Sequence, residues 1–353
     1  MKGSSTCFVT GATGFIGSHL VRRLLEHGCH VRCLARSESN IRQLAELGVE
    51  ARLANVLDPA AMQSAIAGSD FVFHLDGVTK VNGAKEVFRV NQGGTSAVAE
   101  ACARLPNPPT LLFTSSLAAV GPALDGAPVT EQSVPHPVST YGKSKLAAEH
   151  SIRKFAASVP ATIVRPPIVL GERDYDGLML FRSIARLGVH FVPTFRRHRV
   201  SIIHADDLVS AMLDLATRGE RLHADEMARG VYHVASESEP SYAELGRMIG
   251  RAVGRARVFV VPIASPVLKT IAGMNEFRTW LGGKPQLLNW DKSREATVGP
   301  WLSSSEKIQR QLGFQVAQTM QDRLTQTARW YSAQGFFRIP DRRVPERSQA
   351  MLQ

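Results

Sequence analysis

The sequence predicts an α/β protein built on a doubly wound parallel sheet, with a smaller, mostly helical region toward the carboxyl end. Two observations predict this class. Short apolar runs alternate with helical segments over residues 1–120, and the rhythm changes from about residue 168. This alternation favours a parallel sheet, because parallel strands are joined by crossover connections that are usually helices.

The apolar runs have strand length and are rich in β-branched and aromatic residues, as expected for buried strands. The predicted strands are 6–10, 30–35, 70–75, 110–115, 161–166, a strand within 199–208, and 230–236. Helical periodicity predicts helices at 16–27, 38–47, 59–67 and 85–104, one that begins near residue 139, a loop and helix over 172–187, and helices at 206–217, 241–253, 304–312 and 318–334. Residues 256–300 are rich in Pro, Gly and Trp, and we expect them to be irregular.

The 353 residues have the composition of a soluble globular protein. We find neither a secretory leader nor an apolar run of about 18 residues, and we therefore expect a cytoplasmic protein. The cysteines have no zinc-like spacing, so we expect buried free thiols and no metal site. They are Cys7, Cys29, Cys33 and Cys102.

Residues 8–25, FVTGATGFIGSHLVRRLL, are predicted to form a strand, a glycine turn and a helix. Gly11 permits a sharp turn, Gly14 lets the backbone approach a pyrophosphate, and Gly17 lets the helix pack closely on the strand. The start of the helix offers N–H groups and a positive dipole end to phosphates. The segment predicts a dinucleotide site, although its G-x-x-G-x-x-G spacing is looser than the usual fingerprint and a purely structural turn is the alternative.

The end of the second predicted strand favours NADP, with NAD as the alternative. NAD enzymes place an acidic residue there to hold the ribose hydroxyls, whereas this chain has Ala35 followed by Arg36. An arginine at this point can pair with a 2′-phosphate.

The segment 139–150, STYGKSKLAAEH, begins a predicted helix in which Ser139 and Thr140 can cap the first turn. Tyr141 and Lys145 are four residues apart and therefore share a face. A lysine charge beside the phenol would lower the pKa of the tyrosine and make it a usable proton donor or acceptor.

Together these features resemble the extended short-chain dehydrogenase/reductase superfamily, the NAD(P)-dependent epimerase/dehydratase type, over residues 6–335. Further matching motifs are Asp58 in NVLDPAAM, His74 in FHLDG, Asn91 in RVNQGGT, TSSLAAVGP (114–122), RPPIVLG (165–171) and HADDL (204–208).

The resemblance implies a catalytic set of Ser116, Tyr141, Lys145 and Asn91. Ser116 would bond the substrate oxygen, Tyr141 would pass the proton, and Lys145 would hold the nicotinamide ribose. The implied cofactor-binding residues are Gly11, Thr13, Gly14, Phe15, Ile16, Gly17, Arg36, Val56, Leu57, Asp58, Leu75, Asp76, Gly77, Tyr141, Lys145, Pro166 and Ile168. Asp58 would contact the adenine. Asp76 stands where the family mostly has a small residue, and it could either bond a ribose or weaken cofactor binding.

The predicted organisation follows from this resemblance. It comprises a dinucleotide-binding Rossmann domain (1–167, with returns near 199–217 and 230–236), a substrate-binding region (168–198 and 237–337) and a flexible basic tail (338–353).

Three positions depart from the nucleotide-sugar enzymes of the family. Val120, Ile168 and Val200 stand where those enzymes usually carry a tyrosine, an asparagine and an arginine. The motifs around them are closer to 3β-hydroxysteroid dehydrogenases and dihydroflavonol reductases. We therefore expect hydride transfer between a hydroxyl and a ketone on a bulky hydrophobic substrate of steroid or flavonoid type. The alternatives are a nucleotide-sugar epimerase or dehydratase and a non-catalytic dinucleotide-binding scaffold, and in each case we expect a homodimer.

The net charge of +11 lies almost entirely in the second half of the chain. Residues 1–150 hold 13 Lys or Arg against 12 Asp or Glu, whereas residues 151–353 hold 29 against 19. We find no nucleic-acid motif and expect no nucleic-acid partner. The basic half indicates either a solvated surface or peripheral contact with an anionic membrane, in which FRRHR (195–199) and Phe191 would take part.

Overall fold

The computed structural model describes residues 4–79, 83–280 and 290–340. Its strands are β1 (Thr6–Thr10), β2 (His30–Ala35), β3 (Glu50–Leu53), β4 (Phe71–His74), β5 (Thr110–Thr114), β6 (Ala161–Arg165), β7 (Ile168–Leu170), β8 (Val189–Val192), β9 (Ile202–His204), β10 (Val231–His233) and β11 (Phe259–Pro262). Its α-helices are α1 (Phe15–Glu26), α2 (Glu38–Ala45), α3 (Pro59–Ile66), α4 (Ala84–Phe88), α5 (Gly94–Ala103), α6 (Thr140–Arg153), α7 (Leu178–Leu187), α8 (Ala205–Arg218), α9 (Tyr242–Ala252), α10 (Ser265–Trp280), α11 (Trp290–Val298), α12 (Glu306–Leu312) and α13 (Met320–Ala333).

Within these residues, seven parallel strands form one sheet in the order β10-β6-β5-β4-β1-β2-β3. The order runs outward from β1 in both directions, which is the doubly wound arrangement, and it confirms the predicted fold class. The central strands are buried on both faces, as parallel strands covered by helices must be.

Alternating side chains of β1 enter the cores on the two faces of the sheet. Cys7 and Val9 pack with α1 and α8, whereas Phe8 packs with α3, α5 and α6. This alternation is the period of two that the strand geometry imposes. All four cysteines are buried and remain thiols, as predicted.

Two smaller parallel sheets belong to the carboxyl-terminal region, where β7 pairs with β9 and β8 pairs with β11. The prediction that 256–300 is irregular is wrong, because β11, α10 and α11 all lie in this range. The predicted helix 85–104 is divided by a π-helical turn over Arg89–Gly93. Residues 341–353 of the predicted basic tail lie outside the described residues. Among the described helices, none combines the length and the apolar character needed to cross a bilayer.

Candidate active site

A cleft of about 610 Å³ opens at the carboxyl ends of the central strands. It is lined by the glycine turn, the ends of β4, β5 and β6, the first turn of α6, and the loop before α7. Of the predicted site residues, those that line it are Gly11, Thr13, Gly14, Phe15, Ile16, Gly17, Leu75, Gly77, Ser116, Tyr141, Lys145 and Pro166. Ligands of doubly wound sheets bind at this edge.

The glycine turn fits a dinucleotide diphosphate. Gly11 has φ 71°, a left-handed conformation that favours glycine, and a Cβ there would lie 3.0 Å from the backbone N of Asp76. A Cβ on Gly17 would lie 2.1 Å from the Gly11 carbonyl oxygen, so the helix can approach the turn this closely because Gly17 has no side chain. Gly14 precedes the first residue of α1 and leaves the amino end of that helix open toward the cleft wall.

Tyr141 lies in the first turn of α6, which Ser139 caps as predicted by accepting a bond from the Gly142 N–H at 2.9 Å. Helix α11 packs over this turn. The Asp291 carboxylate accepts from the Tyr141 N–H at 3.3 Å, and Glu295 accepts from the Ser139 hydroxyl at 2.5 Å. A segment about 150 residues later in the chain thus fixes the start of α6.

The predicted lowering of the Tyr141 pKa is wrong for the net shift. Burial raises the pKa of Tyr141 above its usual range, and the negative charge of Glu295 adds to this rise. The Lys292 ammonium and the Ser116 hydroxyl lower the pKa, but burial outweighs them, and Lys145 is not among the main causes. Lys292 Nζ lies 5.7 Å from the Tyr141 ring centroid and pairs with Glu295 at 2.8 Å. Tyr141 is therefore a protonated phenol at neutral pH.

Lys145 is buried, and its ammonium points to the end of β5. Nζ donates to the Thr114 carbonyl at 2.8 Å and lies 4.7 Å from the Phe113 ring centroid. Burial lowers the pKa of Lys145 to about 8, while the negative charges of Asp76 and Glu149 oppose this shift. The lysine therefore remains largely charged at pH 7.

Ser116 follows β5 and begins a short 3-10 turn over Leu117–Ala119. Its Oγ accepts from the Ala118 N–H at 3.1 Å, and its hydroxyl lies close enough to Tyr141 to lower the pKa of the phenol. The serine hydroxyl and the phenol therefore converge on one point of the cleft wall, where both can reach a substrate oxygen.

Asn91 braces the loop after β4 and does not line the cleft. It lies in the π-helical turn, an irregularity that is frequent at functional sites. Its Oδ1 accepts from the Val78 N–H at 2.8 Å, and its Nδ2 donates to the Ser144 hydroxyl at 2.9 Å. Asn91 thus ties the Asp76–Val78 loop to the helix that carries the tyrosine and lysine.

The sequence match decides the family. The model of the NAD dependent epimerase/dehydratase family matches residues 7–239, about two thirds of the chain. The chain belongs to this family. As an extended short-chain dehydrogenase/reductase, it is an enzyme that uses a nicotinamide dinucleotide, as the motifs predicted.

Two relatives of this family member cover almost its whole length. Ceramide reductase of Caulobacter vibrioides is 30% identical over 330 residues, which are 93% of this chain and 95% of that protein. The 3 beta-hydroxysteroid dehydrogenase type 7 of Mus musculus is 26% identical over 356 residues, with 92% and 95% covered. The crystal structure of UDP-glucose 4-epimerase from Thermotoga maritima with UDP-glucose has the same fold, with a TM-score of 0.73, 20% identity, and coverage of 93% and 99%.

The remaining predicted cofactor residues of this family enzyme are not among the residues that line the cleft. Arg36 is exposed directly after the buried Ala35 that ends β2. Asp58 caps α3 by accepting from two backbone N–H groups, at 3.0 and 3.1 Å. Ile168 lies in β7 opposite Ile202. Their contacts with a cofactor, and those of Val56, Leu57 and Asp76, stay predictions.

A buried ion pair joins the carboxyl end of β6 to α6. Arg165, the last residue of β6, donates to both carboxylate oxygens of Glu149 at 2.9 and 2.6 Å. The same carboxylate accepts from the Ser115 hydroxyl at 2.5 Å. Because Glu149 lies one helical turn after Lys145, this cluster couples α6 to the ends of β5 and β6.

A second buried cluster joins α1 to the loop after β7 and to α8. His19 Nδ1 lies 2.7 Å from an Asp206 carboxylate oxygen, and Nε2 lies 2.8 Å from the Glu172 carbonyl oxygen. His19, Glu172 and Asp206 are close enough to hold a metal ion. Both ring nitrogens of His19 already lie within hydrogen-bond distance of oxygen atoms. We therefore interpret the cluster as a hydrogen-bonded connection of α1 to the loop after β7 and to α8.

Two parts of the site were not predicted from the sequence. The loop 173–176 lines the cleft. Its polar residues between Gly171 and Gly177 predict a loop, but they do not predict that this loop lies against the cleft. Helix α11 covers Tyr141 but falls in the range that was predicted to be irregular. Nothing in the local sequence places it there.

Proposed function

We propose that this enzyme reduces a ketone to a secondary alcohol, and catalyses the reverse reaction, on a bulky apolar lipid-like substrate with NADP(H). The observation that carries the proposal is the cleft that the glycine turn shares with Ser116 and Tyr141. When bound, the cofactor supplies the hydride that adds to the carbonyl carbon.

Each residue of the pair has one task in ketone reduction. Tyr141 holds its proton at neutral pH because burial raises its pKa, and it donates that proton to the carbonyl oxygen. Ser116 donates a hydrogen bond to the same oxygen, on which negative charge develops. Lys145 is charged, lines the cleft, and donates a hydrogen bond to the Thr114 carbonyl. From this position it would bind the nicotinamide ribose.

The surroundings of Tyr141 support an apolar substrate. The tyrosine packs against one apolar cluster that contains Val120 and Val200 and that Ile168 also contacts. These are the three positions at which nucleotide-sugar enzymes of the family usually carry polar residues. None of the three lines the cleft, and Val120 and Val200 are fully buried, so these positions supply no polar group to a sugar diphosphate. The absence of such polar contacts favours an apolar substrate. Ceramide reductase and the hydroxysteroid dehydrogenase, named above as relatives, carry names of the same substrate class.

The test measures NADPH oxidation with an N-acyl-3-ketosphinganine, a 3-ketosteroid, a flavanonol and a UDP-4-ketosugar. We expect turnover with an apolar ketone, and Tyr141→Phe to lower kcat about 10²–10⁴-fold with NADPH affinity unchanged. The matched control is Tyr232→Phe, which removes the same oxygen from a buried tyrosine of β10 bonded to Gln311, outside the cleft. Preference for the UDP-4-ketosugar would refute the substrate class, and more than a tenth of the activity in Tyr141→Phe would refute the acid.

A further inference from the structure

The small sheet of β8 and β11 has one face that no other described element covers completely. Phe191 lies opposite Val261 in the pairing of these strands, and both side chains are exposed. Phe259, two residues before Val261 and therefore on the same face, is 70% exposed. His190 and Val192 point to the other face and are buried. This sheet thus has a buried side and an aromatic side that faces solvent.

Helix α10 continues the exposed apolar surface. It begins three residues after β11 ends, and Val267, Ile271 and Met274 are spaced by four and three residues, so they share one face. All three side chains are exposed, whereas Leu268 and Ala272, further around the helix, are buried. The exposed apolar residues are therefore a second stripe, additional to the one that packs inward.

The loop after β8 extends this surface at the same edge of the sheet. Carboxyl ends of parallel strands lie at one edge, so the loop after β8 and the start of α10 leave the sheet side by side. Phe195 in this loop is 70% exposed, and the exposed Arg196 and Arg197 follow it directly.

The charge around this surface is mainly positive. Residues 178–200 contain five Lys or Arg and no Asp or Glu, and residues 251–280 contain five Lys or Arg and one acidic residue, Glu276 of α10. Arg199 pairs with Glu239 from a neighbouring loop, and Arg278 continues the exposed face of α10 one turn beyond Met274. An apolar patch with a basic rim is the signature of contact with an anionic bilayer surface.

We propose that β8, β11, α10 and the loop after β8 form a docking face for an anionic phospholipid bilayer. A second copy of the chain fits this face less well. A two-fold symmetric interface would bring the same arginines of both copies together, and like charges at an interface are unfavourable. An anionic leaflet instead pairs with these cations while its acyl region accepts the aromatic side chains.

The docking face connects directly to the candidate active site. Helix α7 joins the cleft loop that contains Tyr175 to the first residue of β8, and its 10 residues span about 15 Å. Its outer side carries exposed Met179 and Leu187. Helix α7 therefore offers a lipid-like substrate a path from the bilayer to the cleft. The docking proposal rests on the surface alone and does not depend on the identity of the substrate.

The test is partition of the full chain onto vesicles of phosphatidylglycerol or phosphatidylcholine, measured by co-sedimentation at low and high salt. We expect binding to phosphatidylglycerol that is at least tenfold stronger than to phosphatidylcholine and that weakens with salt. Arg196→Ser/Arg197→Ser should lower the partition about 25-fold, since each basic residue contributes about fivefold, or about 1 kcal/mol. Phe191→Ser/Phe259→Ser should lower it at least tenfold.

Control variants replace exposed apolar and exposed basic residues elsewhere on the surface. Val134→Ser/Met227→Ser and Arg104→Ser/Arg310→Ser should keep the partition of the unmodified chain. Melting temperature and NADPH affinity verify that every variant is folded. Absence of binding to phosphatidylglycerol would overturn the proposal, and so would binding that neither surface variant weakens. A dimer in light scattering that the phenylalanine variant dissociates, without vesicle binding, would make the face a self-association surface instead.

Discussion

The buried pair of Glu149 and Arg165 gives the sharpest stability prediction. Both side chains are nearly inaccessible to solvent, at 3% and 6% exposed, and two hydrogen bonds join them. Glu149→Gln keeps the shape and one acceptor but leaves the arginine charge buried without its counter-charge. Removing one partner of a buried pair costs about 3–5 kcal/mol. We expect that loss in the free energy of unfolding.

The corresponding change in melting temperature follows from the chain length. An unfolding entropy of about 2.1 cal/mol/K per residue gives about 0.7 kcal/mol/K for the whole chain, so calorimetry should show a decrease of about 4–7 °C. The double variant Glu149→Leu/Arg165→Met removes both charges and should lose less stability than Glu149→Gln. A single-variant loss under about 1 kcal/mol, or a double variant less stable than the single, would refute the reasoning.

The control is an exposed pair with the same geometry. Arg89 donates two hydrogen bonds to Glu86, at 2.7 and 2.6 Å, and both residues are accessible to solvent. Glu86→Gln should leave the melting temperature unchanged within error, because water screens exposed pairs. Equal losses for Glu86→Gln and Glu149→Gln would show that burial has no part in the effect.

Three further outcomes are expected. Arg36→Ala should weaken NADPH binding about tenfold or more and leave NADH binding unchanged, and equal dissociation constants for both cofactors in the unmodified chain would contradict the NADP assignment. Burial lowers the pKa of both His74 and His233 to about 3, from 6.5 in the unfolded chain. The stability contribution of each histidine is therefore complete above pH 6.5. As the pH decreases toward 3, the free energy of unfolding falls by about 1.4 kcal/mol per pH unit for each histidine. Denaturant titrations should show this slope reduced by about half in His233→Gln, and a flat profile from pH 6.5 to 5.5 would exclude buried neutral histidines. Asp76→Asn should lower the pKa of Lys145 further and shift the alkaline limb of the pH profile of kcat/KM to lower pH. If the alkaline limb does not move, a group other than Lys145 is responsible for it.

The sequence predicted best the elements whose pattern is local. β1 and β2 have the predicted bounds, because each is an uninterrupted apolar run between turn residues. β3 was missed because its four residues, Glu50–Leu53, include two charged side chains at the edge of the sheet. β11 and α10 were missed because proline and glycine nearby outweighed a short β-branched run.

The site shows the same division. The glycine turn, Ser116, Tyr141 and Lys145 were found because their spacing is fixed within single elements or motifs. The sign of the Tyr141 pKa shift was not, because it depends on burial and on Lys292, about 150 residues away in the chain. Helix spacing reveals which side chains are neighbours along one helix, but it says nothing of what another segment places over them.

The strand order also determines when each strand gains its neighbours during synthesis of the chain. β6 receives its outer neighbour, β10, only after the chain has been synthesised to residue 233. The 65 residues between Arg165 and Val231 take about 3–13 s at ribosomal rates of about 5–20 residues per second. During that interval β6, which is buried on both faces in the folded chain, has an unpaired edge of the kind that templates aggregation. Slow translation between these strands should therefore lower the soluble yield, and a chain that ends soon after β6 should need a chaperone that shields the strand.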